Sequence, residues 1–262
     1  MKIYDCFYMY DELDMLEIRL NILDPYVDHF VIVEADEGYT GHKKEFFYEK
    51  NKERFAKWQH KIIYNKIENI FSDKDLLKAA YDSQNTGAKE HWWIREFYIK
   101  ESLHFLNNLK DEDDIIFLSD MDEIWNPEIV INYAKNLKTD DVYRTIQTTY
   151  NFYLNTRSEQ QNDHTATRFG KIKTLKKYGG NHFRTETIVK SIPIENAGWH
   201  FACLWKTSEK WNSGHPDDPR RIMAAISRAL RIDEISLPKY LIDNREKYKH
   251  FFYEILLTDR AG

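Results

Sequence analysis

Apolar residues recur at two different spacings in the first part of the chain. Lys2 to Tyr8 reads as a short strand. Leu13, Leu16, Leu20 and Leu23 return at helical spacing, so an amphipathic helix follows and ends at Asp24-Pro25. His29 to Glu34 is a β-branched strand that runs into Ala35–His42, a polar loop with two glycines. Strand, helix, strand and a Gly-containing loop make the first βαβ unit of a nucleotide-binding sheet.

Beyond it, Glu45–Trp58 reads as helix and Lys61–Tyr64 as strand, while Ser72–Gly87 is polar and hard to read. Lys89–Leu109 predicts one long helix. Asp114–Ser119 predicts a buried strand, and Pro127 opens a helix to Leu137 with Asn126 as its cap. Val142–Leu154 holds one or two strands. Asn155–Gly180 is irregular, with Gly170 and Gly179-Gly180 as turns. Thr185–Ser191 and Ala197–Phe201 read as strands, Pro219–Arg231 and Glu246–Leu257 as helices. The fold expected is α/β: a Rossmann-like mixed sheet flanked by helices, with a C-terminal helical extension. It forms one domain over residues 1–262, a first half (1–137) and a second half with acceptor-side additions (138–262).

The strand at Asp114–Ser119 stops abruptly at Asp120-Met121-Asp122. That places two carboxylates at a strand's C-terminal edge, where ligands of open α/β sheets sit. Alternate residues of an extended segment point the same way, so both can face one target. Close carboxylates repel unless a cation lies between them. A hard divalent ion bridging to a substrate diphosphate removes that repulsion. Acidic pairs also occur by chance at helix N-termini, and the helix from Pro127 supplies that competing explanation.

Composition narrows the class. The chain has 262 residues, 42% hydrophobic and 31% charged, as ordinary globular proteins do. Its formal charge of −5 lacks the basic stripe of a nucleic-acid binder. Aromatics reach 15%, enough to stack on sugars or to fill a core. Cys6 and Cys203 form neither a disulfide framework nor a Cys-x-x-Cys pair. No signal-peptide stretch or spanning run is visible, so a cytoplasmic protein without a transmembrane segment is expected.

Other residues are candidates for chemistry. Asp36 ends the second strand and could bond a ribose or uracil, or simply brace its own turn. Arg95 sits among aromatics and needs an anion, a carboxylate or a substrate phosphate. His200 follows Gly198-Trp199 and could complete a metal shell beside the aspartates, one that suits Mn²⁺ better than Mg²⁺. The general base is open among Glu186, Asp217 and Asp218, with Glu186 and Asp217 put forward; Asp217 and Asp218 could equally cap the helix at Pro219.

Several segments together resemble glycosyltransferase family 17, the β-1,4-mannosyl-glycoprotein β-1,4-N-acetylglucosaminyltransferases. They are Asp5-Cys6-Phe7, Glu12-Leu13-Asp14, Leu16–Leu20, Phe30–Glu34, Arg95-Glu96, Ser119–Ile124, Ala197–His200 and Pro238–Leu241. The resemblance implies a GT-A-type fold, UDP-N-acetylglucosamine or a related sugar nucleotide as donor, Mn²⁺ as metal, and inverting transfer to a glycan acceptor. By position, Asp122 would bind the metal, Asp120 the metal or donor ribose, His200 the metal, and Arg95 the donor. Trp125 departs from the small residue or proline usual after the acidic motif. His215-Pro216-Asp217 has Asp where bacterial relatives carry Glu. The expected activity is metal-dependent glycosyl transfer in glycan biosynthesis, with rings near Trp125 and Trp199 available to stack on sugars. Two alternatives are a nucleotidyltransferase using the same acidic pair and a non-catalytic carbohydrate-binding module.

Overall fold

The structure is a computed structural model that describes residues 1–82, 91–158, 167–185, 188–202, 204 and 236–254. Its centre is a seven-stranded mixed sheet in the order β3-β2-β1-β4-β8-β6-β9. The strands are β1 (Ile3–Met9), β2 (His29–Ala35), β3 (Ile62–Ile67), β4 (Ile115–Asp120), β6 (Val142–Thr145), β8 (Arg168–Lys171) and β9 (Ser191–Ile194). β3, β2, β1 and β4 run parallel, and β8 lies antiparallel between β4 and β6. β1 and β2 embrace α1 (Leu13–Leu23), the βαβ unit expected. This is the α/β GT-A-type mixed sheet that the sequence and the resemblance predicted.

Parallel strands covered on both faces are apolar throughout, and β1 is buried at all seven positions. Alternation sends Phe7, Phe30 and Phe117 to one core, and Cys6, Tyr8 and Val31 to the other. The Cys6 thiol is free and buried, which pushes its pKa well up.

A second sheet, β5-β10-β7, sits beside the first. It joins β5 (Glu123–Trp125), β10 (Gly198–Ala202) and β7 (Thr148–Asn151). A ring stack ties the two sheets together: Trp125 lies 4.2 Å from Phe117, Phe117 4.6 Å from Phe169, and Phe169 5.3 Å from Tyr143. Such pairs add about 0.5–1.5 kcal/mol each beyond burial. Trp125 and Trp199 are 0% and 8% exposed. Both are therefore core rings, the packing role that the sequence left open beside sugar stacking.

Several boundaries differ from expectation. Residues 47–58 split into α2 (Phe47–Asn51) and a 3₁₀ turn, and the long helix is cut to α4 (His91–Glu101) followed by a 3₁₀ turn at His104–Asn108. The polar stretch after Ser72 contains α3 (Lys74–Asp82), and the helix from Pro127 is α5 (Pro127–Lys135), capped by Asn126. The irregular region holds β8 and α6 (Ile172–Arg184), with Gly179 as a kink inside that helix at φ 78°. Glu101 accepts the backbone N–H groups of Gly180 and Asn181, which is what lets the helix resume past the kink. The strand expected at Thr185–Ser191 instead starts at Ser191. Residues 246–254 form turns and a 3₁₀ piece instead of the terminal helix expected, after the short α7 (Lys239–Asp243). The helix predicted from Pro219 lies outside the described residues. No described helix is long and apolar enough to cross a membrane.

Candidate active site

In the order β2-β1-β4, the chain leaves β1 for β2 on one side and later returns to pair β4 on the other. Ligands of open sheets sit at such a reversal, beyond the strands' carboxyl ends. Tyr8 and Asp120 are register partners there. The acidic turn after β4 therefore stands at the switch point.

Arg19 holds that turn from below. Leu16, Arg19 and Leu23 share one face of α1, so the guanidinium enters the core and is fully buried. It grips Asp5 through two 2.7 Å bonds and donates to the Ser119 hydroxyl at 2.7 Å. It also donates to the carbonyls of Asp120, Met121 and Glu123 at 3.2, 3.2 and 2.8 Å. Five donors in a rigid fork suit this task, and a lysine could not reproduce it.

From the other side, α4 and α6 bring cations to the acids. Arg184 donates to Asp120 Oδ2 at 2.9 Å and to the two Glu123 oxygens at 2.7 and 3.2 Å. Lys100 pairs with Glu96 at 2.6 Å and approaches Asp120 to 3.9 Å. Burial opposes the Arg184 charge, but Asp120 and Glu123 outweigh it and hold its pKa up. The same balance, with Asp120 and Glu96 as partners, raises Lys100. Burial pushes the Glu123 carboxyl up despite Arg184. Glu123 also accepts the Asp120 backbone N–H at 3.1 Å, closing the turn.

Asp122 takes a different direction. Its Oδ1 lies 3.7 Å from His200 Nε2, and both side chains are largely buried. His200 is placed by Gly198: a Cβ there would meet the Ile124 carbonyl well inside the 3.0 Å that real Cβ atoms keep. Only glycine lets β10 approach β5 closely enough to set His200 opposite Glu123.

The structure thus brings Asp122 and His200 together and turns Asp120 toward Arg184 and Lys100. Among the described residues, no three His, Cys, Asp or Glu side chains are grouped closely enough to hold a metal by themselves. Asp122 and His200 offer one carboxylate oxygen and one imidazole nitrogen, a donor pair that fits Mn²⁺ when water and substrate oxygens fill the rest of the shell.

Asp36 stands at the carboxyl end of β2. Its Oδ2 takes Lys43 at 2.8 Å and the Asn69 N–H at 3.2 Å, while its Oδ1 is buried without a partner. Among the described residues, Arg95 meets the Glu37 carboxylate at 3.3 Å. The guanidinium also lies over the Phe71 ring and against Gly41, where a Cβ would come within 2.8 Å of it. Glu186 and Asp217 lie outside the described residues, as does Cys203.

Arg19, Lys100, Glu123 and Arg184 were not singled out from the sequence. Arg19 carried a signal, being a charge on the apolar face of a short helix. Lys100 and Arg184 carried none, because only the packing of α4 and α6 delivers them to the turn.

The profile of glycosyltransferase family 17 matches residues 1–212, so Pro238–Leu241 falls beyond it. No curated protein matches the chain. Among solved structures the chain is similar to S. aureus TarS 1-349 (12% identity, 88% of this chain, 67% of that chain, TM-score 0.43). It is also similar to the inositol-1-phosphate CTP transferase from T. maritima (15%, 78%, 90%, 0.41). A third is the mannosyltransferase PcManGT from Pyrobaculum calidifontis, in complex with GDP-Man and Mn2+ (11%, 96%, 81%, 0.43). With most of its length inside the profile, and its acidic turn at the sheet's switch point, the chain belongs to glycosyltransferase family 17 and is a glycosyl-transferring enzyme.

Proposed function

We propose that the chain moves a sugar, N-acetylglucosamine by family likeness, from a UDP-sugar to a glycan hydroxyl with inversion, in a metal-dependent reaction. The observation that carries this reading is the facing pair Asp122 and His200, 3.7 Å apart where the turn after β4 meets β10. A divalent ion bound by them would supply charge neutralisation for the departing diphosphate. Asp120, already compensated by Arg184, is assigned the donor ribose; its carboxylate keeps acceptor capacity for a hydroxyl. Asp36, just past β2, and Arg95, within α4, are assigned to the nucleotide. Glu186 or Asp217 takes the proton of the acceptor hydroxyl as it attacks the anomeric carbon from the face opposite UDP. The donor-binding half (1–137) and the acceptor-side half (138–262) are assigned to one domain, a reading supported among the described residues by β6, β8 and β9 continuing the sheet of β1 to β4.

The test is a calorimetric titration of UDP-N-acetylglucosamine with and without Mn²⁺, paired with an assay of sugar release. Metal-dependent binding with slow release of free sugar is expected, and Asp122→Ala should lose turnover at unchanged far-UV circular dichroism. Full activity in that variant removes Asp122 from the site. Pyrophosphate release from UTP and a sugar phosphate would point to nucleotidyl transfer instead. Sugar binding indifferent to nucleotide and metal would point to a binding module.

A further inference from the structure

The pairing of the small sheet lines up three polar residues. His200 stands opposite Glu123 in the antiparallel pairing and beside Thr149 in the parallel one. Residues directly across a ladder share a face, with Cβ atoms roughly 5 Å apart. The other face of the same strands carries Ile124, Trp199, Phe201 and Tyr150, all in the core. Glu123, His200 and Thr149 therefore form a polar row on the face that meets the acidic turn.

Each member but one has a visible task. Glu123 bonds Arg184, and His200 faces Asp122. Thr149 is 5% exposed, yet its Oγ1 has no hydrogen-bond partner. A valine would fill the same space without an unsatisfied hydroxyl, so a threonine here costs stability. Such a cost is offset where a ligand supplies the missing bond.

We infer that Thr149 is a ligand-contacting residue of this site, its hydroxyl bonding a water of a hydrated divalent cation held by Asp122 and His200. The inference rests on the metal-site reading above. Its signature is opposite signs for stability and binding, which a merely structural threonine would not show.

The experiment is Mn²⁺ titration of the full chain by calorimetry, with thermal unfolding in metal-free buffer, for the natural protein, Thr149→Val and Thr149→Ser. Thr149→Val should unfold at a higher temperature without metal and bind Mn²⁺ about 3- to 10-fold more weakly, the worth of one hydrogen bond. Thr149→Ser keeps the hydroxyl and should bind within about 2-fold of the natural chain. Undiminished Mn²⁺ binding by Thr149→Val overturns the inference while leaving the metal site standing. A lower unfolding temperature for that variant also overturns it, since the hydroxyl is then bonded within the protein. If the natural chain binds no Mn²⁺, the metal reading falls and takes this inference with it.

Discussion

Arg184 is the counter-ion of Asp120: its Nη2 lies 2.9 Å from Asp120 Oδ2, while Nη1 lies 2.7 Å from Glu123 Oε2. The first half of the acidic pair is thus compensated by the protein, and the second half, Asp122, faces His200. A single guanidinium links the end of β4 to the start of β5. Replacing Arg184 by Met leaves the buried Glu123 carboxylate without its cation, which should cost about 3–5 kcal/mol in urea unfolding. Arg184→Lys keeps the charge but loses the fork. It should be closer to the natural stability, yet turn over about 10-fold or more slowly because Asp120 is no longer fixed. Natural unfolding of Arg184→Met would contradict the pairing.

Arg19 and Asp5 give a second test. Both are fully buried, so Arg19→Met should also cost about 3–5 kcal/mol. Adding Asp5→Leu removes the stranded carboxylate, and the double variant should recover part of that loss, the rest remaining with the carbonyls and the Trp125 N–H left without partners. Turnover should not return with it. Neither methionine nor leucine can bond the carbonyls of Asp120, Met121 and Glu123 that Arg19 now holds. A double variant with full activity would show that the turn keeps its shape unaided.

Gly198→Ala probes the approach of β5 to β10. The new Cβ must push back the Ile124 carbonyl and the Trp125 backbone. Overpacking of this kind costs about 1–3 kcal/mol, and here it also moves His200 relative to Glu123 and Asp122. Lower thermal stability and a lower turnover number are both expected. An alanine variant matching the natural chain in both would mean the strands have room to spare.

Acid stability should depend on Glu17. Burial pushes its carboxyl up, but hydrogen bonds from Lys247 and Arg54 outweigh burial and leave it below the ordinary value of 4.5. A depressed folded-state pKa contributes stability that is present above that ordinary value and is lost as pH falls through the lowered one. Glu17→Gln should therefore be less stable at neutral pH and show a shallower loss on acidification. Urea midpoints measured between about pH 3 and 7 decide this. Parallel curves for the two proteins would exclude a role for Glu17.

The first half of the fold could be read from local pattern. α1, β2 and β4 each carry a strong period or an unbroken apolar run, β1 a shorter pattern broken by Asp5, and Asn126-Pro127 caps α5 as its residue types require. β4's abrupt end at Asp120 placed the acidic turn at a sheet rim, and the switch point puts it there. α6 escaped because Gly179-Gly180 reads as a turn; a carboxylate on another helix, Glu101, bridges the kink and keeps the chain helical. The expected terminal helix failed over 246–254, where turns and a 3₁₀ piece pack Tyr248 and Phe251 into the core.

Residue order alone settled that Asp120 and Asp122 follow a buried strand, and that Gly198 and His200 share one short extended segment. It could not say where each carboxylate would find its partner. Arg184 is 64 positions from Asp120, and Arg19 more than a hundred from the carbonyls it holds. Electrostatic pairing depends on distance in space, and folding sets those distances through contacts that no local period encodes. Chain chemistry offered a pair of acids, and packing sent one to an arginine and the other to a histidine.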